Sequence, residues 1–168
     1  MLGHFYKLHL KTRRRQRLPP QPLKWFRSLI ATFGAQLKIG IAFKNRMPIA
    51  AILTVNHKDT VTYKYGCSDA RLHPLGGMPF LFWNTIRQAK TAGYEKIDLG
   101  RSDAKNEGLI TFKEHLGGVR SDLYYWRYPN RSQSLESSWA RPVAGMIVKA
   151  LPDRLLAETG KLFYRHIG

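Results

Sequence analysis

Acidic side chains are scarce in this chain, and none occurs before Asp59. Eleven Asp and Glu stand against 28 Lys and Arg in 168 residues, a formal charge of +17, and residues 1–58 carry 12 basic side chains with no acid. Such a field draws in phosphates and other anions. Cysteine is nearly absent. Cys67 alone makes no internal disulfide, and no Cys/His cluster with ligand spacing accompanies it, which excludes a structural zinc and points to a reducing compartment, the cytoplasm. Long apolar runs are missing as well: Lys, Arg or Pro breaks each one short of the roughly 18 residues a membrane span requires. His4, Lys7 and His9 interrupt the opening ten residues, so a signal peptide is not expected there. Glycine (14) and proline (9) are too few for a collagen-like or low-complexity chain, while 43% hydrophobic and 12% aromatic residues suffice for one packed domain.

Residues 1–22 read as a basic connector, with Lys11, Arg13, Arg14, Arg15 and Arg17 leading into the prolines 19, 20 and 22. A short amphipathic helix is expected over 23–33, where Trp25, Phe26, Leu29, Ile30 and Phe33 recur at helical spacing before Gly34. Three strands follow in antiparallel succession. Residues 38–44 alternate, 48–55 are apolar on both faces as a central strand should be, and 59–65 alternate Val61, Tyr63 and Tyr65 with Thr62 and Lys64. Pro79 opens a helix running to Ala92 with Phe82, Ile86 and Ala89 on one face; a short buried strand at 94–99, a helix over 107–116 and a Tyr- and Trp-rich strand over 122–128 complete the order. Residues 130–138 suit a linker, and 142–167 suit one or two short helices split at Pro152.

That order, together with Asp98-Leu-Gly-Arg-Ser102 and then Gly108-Leu-Ile-Thr-Phe-Lys-Glu-His-Leu-Gly117, resembles the C-terminal half of FemAB-type transferases of the GNAT-fold superfamily. It is also similar to GNAT-like acyltransferases of exopolysaccharide and cell-envelope synthesis. The resemblance spans residues 5–128, with a weaker echo in 151–168. It implies an α/β (α+β) fold with a mixed, largely antiparallel sheet flanked by helices and a C-terminal helical tail. The implied division is a connector (1–22), a GNAT-like domain (23–129) and a linker with helical tail (130–168). FemAB proteins pair two such domains, so a missing N-terminal GNAT-like domain is one implied partner.

The resemblance assigns Lys113 to holding the donor and the developing oxyanion, with Phe112 beside it. A fixed cation next to an anionic tetrahedral centre stabilises the transition state, roughly 2.7 to 4 kcal/mol for one hydrogen-bond donor; the alternative is a solvated helix lysine. Asp98 is a candidate to orient or deprotonate an acceptor amine, with Arg101 and Ser102 as substrate contacts, or else Asp98 caps its turn and pairs with Arg101. Gly76, Gly77 and Met78 form the candidate donor-binding loop at a helix N-terminus, where free amides attract phosphate. Pro74 and Pro79 weaken that grip and leave acyl-CoA and aminoacyl-tRNA both open as donors. Tyr65 is a candidate groove residue, and His73, His115 and Cys67 read as ordinary loop, surface or packing side chains.

The implied activity is acyl or aminoacyl transfer to an amine of a peptidoglycan or polysaccharide precursor, without a tightly bound cofactor or metal. The alternatives are a CoA-dependent N-acyltransferase for exopolysaccharide and, from another class, a non-catalytic basic module for nucleic acid or membrane. The lead-in at Lys11 to Arg17 reads either as a solvated connector or as a phosphate or anionic-lipid contact, for tRNA, a lipid-diphosphate precursor or the anionic inner membrane face.

Overall fold

Strand β2 (Met47–His57) forms the centre of the molecule, since its residues from Ile49 to Thr54 are buried on both sides. The computed structural model describes residues 1–126, 128 and 151–163. β1 (Leu37–Lys44) and β3 (Thr60–Ser68) flank β2 antiparallel, and β4 (Lys96–Asp98) adds in parallel to β3, giving the order β1-β2-β3-β4. Asn45 and Arg46 both hold positive φ (48° and 64°), the two-residue hairpin geometry whose twist matches the strands it joins. The mixed sheet between helices is the expected fold class.

Helices α1 (Leu2–Arg15) and α2 (Leu23–Phe33) cover one face, where Phe5, Leu8 and Phe26 pack on Ala51, Leu53 and Cys67. Helices α3 (Gly77–Thr91) and α4 (Glu107–His115) cover the other, with Leu81 and Phe82 on Ala50 and Ile52, and Phe112 against them. α5 (Asp153–Phe163) returns to α1 through Leu156, fully buried against Leu10, and through the Arg14–Asp153 ion pair at 2.6 Å. Among the described residues no helix is long and apolar enough to cross a membrane.

Three expectations are corrected. Residues 2–15 are not a connector but the helix α1, whose Phe5 and Leu8 are 0% and 1% exposed; Phe5, Leu8, His9 and Thr12 make a buried stripe and the arginines follow at its C-terminal end. Residues 122–126 form no strand. β4 is three residues long and offers them no ladder, so Tyr124 and Trp126 stay 76% and 98% exposed despite their intrinsic preference for a pleated, half-buried surface. β4 is not a buried strand either: Lys96 and Asp98 are exposed and Ile97 alone is half-buried. The expected linker at 130–138 and helix from 142 to 150 lie outside the described residues.

A bulge in β3 also changes which way its aromatics point. Leu53 lies opposite Tyr65 and Thr54 opposite Tyr63, leaving Lys64 as the extra residue. The alternation therefore breaks: Tyr65 joins the α1/α2 face and Tyr63 the α3/α4 face.

Candidate active site

The sequence before α3 has to turn sharply from the end of β3. Asp69 starts the turn by accepting from the backbone N–H of Arg71 (3.2 Å), residues Ala70–Leu75 make a 3₁₀ turn, and Gly76 closes it at φ +67°. Gly77 is buried against β2: a Cβ there would lie 3.0 Å from Ala50 Cβ and Ile49 Cδ1, so a larger residue would have to push the sheet side chains aside by a few tenths of an ångström. Phe80 makes the first intrahelical bond, to Gly76 O at 3.0 Å, while the amide of Gly76 donates to His73 O at 2.9 Å. Pro79 has no N–H. The amides that the start of the helix leaves unpaired are therefore those of Gly77 and Met78.

These two residues border a cavity of about 470 Å³ between β2–β3 and the helices α3 and α4. Its apolar side is Ile49, Tyr63, Met78, Phe82 and Phe112, with Phe112 set edge-on to Phe82 at 5.5 Å. Gly66 keeps the floor open, because a Cβ there would collide with the Tyr63 hydroxyl and sit 2.9 Å from Met78 Cε. Its polar side is Thr12, Arg15, Gln16, Ser68, His73 and Lys113.

Lys113 is the buried member of α4, 9% exposed. Its Nζ donates to Gly100 O at 2.7 Å and Arg101 O at 3.2 Å, which fixes the ammonium at the end of the loop that leaves β4. Burial lowers its pKa, and the Asp98 carboxylate partly offsets that. Ser68 and His73 form a second polar pair, Oγ to Nε2 at 2.8 Å. Thr12 anchors Ser68 to α1: its hydroxyl accepts from the Ser68 N–H (2.9 Å) and donates to Ser68 O (3.3 Å). Cys67 lies at the edge of the cavity, but its thiol is directed at the carbonyls of Phe5 and Ala51, and burial pushes its pKa up to about 12. A thiol held protonated in this way is a poor nucleophile.

Of the residues expected from sequence, Gly77, Met78, Phe112 and Lys113 meet around this cavity. Asp98 does not: its Oδ1 accepts from Gly100 N at 2.7 Å, capping the turn. Arg101 points outward, donating to the Tyr125 hydroxyl at 2.8 Å, Ser102 is half-buried away from the cavity, and Gly76 serves the turn. Tyr65 lies on the opposite face, where Trp25 Nε1 donates to its hydroxyl at 3.0 Å and Phe26 packs edge-on at 5.2 Å. Sequence reasoning left out Ser68, read Tyr63 as sheet packing and His73 as a loop side chain, and took Arg15 only as one member of the basic lead-in. Only Arg15 had a signal, its charge, and that was lost within a run of five basic residues. A smaller cavity of about 320 Å³ lies at the other end of α3, walled in part by Lys38, Thr54, Asn56 and Tyr94, and none of the motif residues reaches it.

A family model described as acetyltransferase (GNAT) domain matches residues 1–114. No curated protein matches the chain in sequence. In three dimensions it is similar to the ribosomal-protein-S18-alanine N-acetyltransferase from Escherichia coli, with TM-score 0.61 and 19% identity over 77% of this chain and 81% of that one. It is similar to an aminoglycoside N-acetyltransferase in complex with CoA, with TM-score 0.60 and 14% identity over 76% and 88% of the two chains. A third similar structure is an aminoglycoside acetyltransferase from an uncultured soil metagenomic sample in complex with sisomicin, with TM-score 0.60 and 10% identity over 77% and 88%.

Proposed function

Since the chain belongs to the GNAT acetyltransferase domain family, we propose that it is an N-acyltransferase that moves an acyl group from acyl-CoA to the amine of a cell-envelope precursor, a peptidoglycan or polysaccharide unit. One observation carries the reading: Gly77 and Met78, with the unpaired amides at the start of α3, and Lys113, with its ammonium held by two carbonyls, line the same cavity. The Gly77 and Met78 amides, at the positive end of the helix dipole, suit the phosphates of CoA. The apolar wall of Tyr63, Phe82 and Phe112 suits the thioester arm. A donor complex named for a similar structure is consistent with CoA rather than aminoacyl-tRNA. The envelope acceptor rests on the resemblance carried by residues 98–102 and 108–117.

In this mechanism the neutral amine attacks the thioester carbonyl, the carbonyl oxygen becomes an oxyanion, and collapse expels the CoA thiolate as the amide forms. The nitrogen's proton leaves to solvent or to the thiolate. Lys113 acts on the charge that develops. Two carbonyls already orient its ammonium, so little reorganisation is needed when the oxyanion appears. Burial lowers the pKa of Lys113, and the Asp98 carboxylate, favouring the charged form, opposes that lowering in part.

The test is steady-state transfer from acetyl-CoA with Lys113→Met, which retains the buried stem. We expect kcat to fall by about 10²- to 10³-fold with the melting curve little changed, in line with loss of one oxyanion donor. Full activity in a folded variant would remove Lys113 from the mechanism.

A further inference from the structure

The polar side of the cavity is cationic, and among the described residues no carboxylate lines it. Among the described residues around it, Arg15 and Lys113 carry positive charge and no Asp or Glu is present. Neighbouring cations are committed elsewhere. Lys11 pairs with Asp69 at 2.6 Å, Arg71 with the same carboxylate at 2.8 Å, and Arg14 with Asp153 at 2.6 Å, while Arg13 donates to Pro19 O. Arg15 differs from the ion-paired Lys11, Arg71 and Arg14. It gives one N–H to Ser68 O at 3.3 Å, and among the described residues no carboxylate lies within ion-pair distance of it. The Thr12–Ser68 hydrogen bonds hold the C-terminal turn of α1 against the end of β3, and Arg15, an exposed residue of that turn, lies at the cavity rim. α1 thus reaches the cavity from the face of the sheet opposite α3 and α4.

We infer that the acceptor amine carries an anionic group, a phosphate or a carboxylate, which Arg15 selects; the inference rests on the N-acyltransferase reading above. An amine entering this cavity meets two cations, of which Lys113 feels the Asp98 carboxylate and Arg15 has no carboxylate within ion-pair distance among the described residues. The two cations favour the amine's neutral, nucleophilic form and penalise further positive charge on the same molecule, whereas a phosphate or carboxylate beside the amine supplies a counter-charge and matches the guanidinium fork. A polycationic amine such as sisomicin, found in one similar structure, is unsuited to this wall. Arg15 is a specificity residue here and takes no part in the acyl step.

The experiment measures binding by calorimetry at fixed ionic strength, using phosphoethanolamine, ethanolamine, sisomicin and CoA as probes. The proteins are the full chain, Arg15→Gln, and Arg27→Gln as a variant of equal net charge with an exposed change on α2. We expect phosphoethanolamine to bind the full chain at least tenfold more tightly than ethanolamine or sisomicin, Arg15→Gln to abolish that preference, and Arg27→Gln to keep it. Equal losses in both variants would assign the preference to the overall field and overturn the inference. So would no preference in the full chain, or a loss of CoA binding in Arg15→Gln with the amine preference intact, which would place donor phosphates at Arg15. An intact preference for phosphoethanolamine with no acyl transfer to any amine would instead sink the N-acyltransferase reading.

Discussion

His9 is 3% exposed in α1, set edge-on to Phe26 at 5.0 Å and to Tyr65 at 6.0 Å. Burial, and secondarily the charge of Arg13, pulls its pKa down to about 4. The folded state thus binds its proton later than the unfolded chain, whose histidine titrates near 6.5. As the pH falls from 6.5 towards 4, the unfolded state gains a proton that the folded state refuses, and stability drops by about 3 kcal/mol at roughly 1.4 kcal/mol per pKa unit. Denaturant midpoints between pH 7 and 4.5 should show the decline, and His9→Phe should flatten it. Asp69 acts in a lower window: Arg71 first and Lys11 next hold its carboxyl below the usual range, so that contribution is present above pH 4 and fades in stronger acid. The sequence made Lys113 legible because its motif is local. Its carbonyl partners at Gly100 and Arg101, and the Ser68–His73 and Thr12–Ser68 contacts, depend on loops and helices meeting, and no spacing encodes them.

At the scale of elements, α2, α4 and the first three strands lie close to where hydrophobic period places them, because each spends its apolar face on the core. α1 was hidden by its own charge. Its buried positions Phe5, Leu8, His9 and Thr12 follow helical spacing, but a histidine and a threonine do not register as apolar, and the arginines dominate the composition. Phe5→Ala should therefore destabilise the protein by about 3–5 kcal/mol, the cost of emptying a fully buried aromatic site, whereas Leu18→Ala, at a position 45% exposed beyond the helix, should shift the urea midpoint little. Equal small effects would restore the connector reading. The 122–126 segment failed in the opposite direction. Its Tyr and Trp content satisfies the preference for strands, yet a strand needs an edge to join and β4 ends after three residues.

For the whole molecule the charge of +17 remains the dominant long-range property. It should give sequence-independent affinity for RNA or anionic vesicles that weakens steeply as salt rises from 50 to 200 mM, in keeping with counterion release. Binding of CoA in the cavity should be much less affected, since the α3 amides and the apolar wall are local. Filter binding and calorimetry across that salt range separate the two, and polyanion binding that resists salt would sink the reading as a basic nucleic-acid or membrane module, whose phosphate contacts must release counterions. By itself the sequence determined the fold class and the central strand, and placed the start of α3 within two residues, at Pro79 where the helix begins at Gly77, since these follow from local period and backbone freedom. The Phe112-Lys113 segment was legible through its resemblance to a family motif. Only the tertiary structure decided what surrounds the cavity. A one-residue bulge turned Tyr63 towards it and Tyr65 away, and packing of α1 on the far face brought Arg15 to its rim, because side-chain direction and long-range burial are properties of the assembled sheet and not of any stretch of chain.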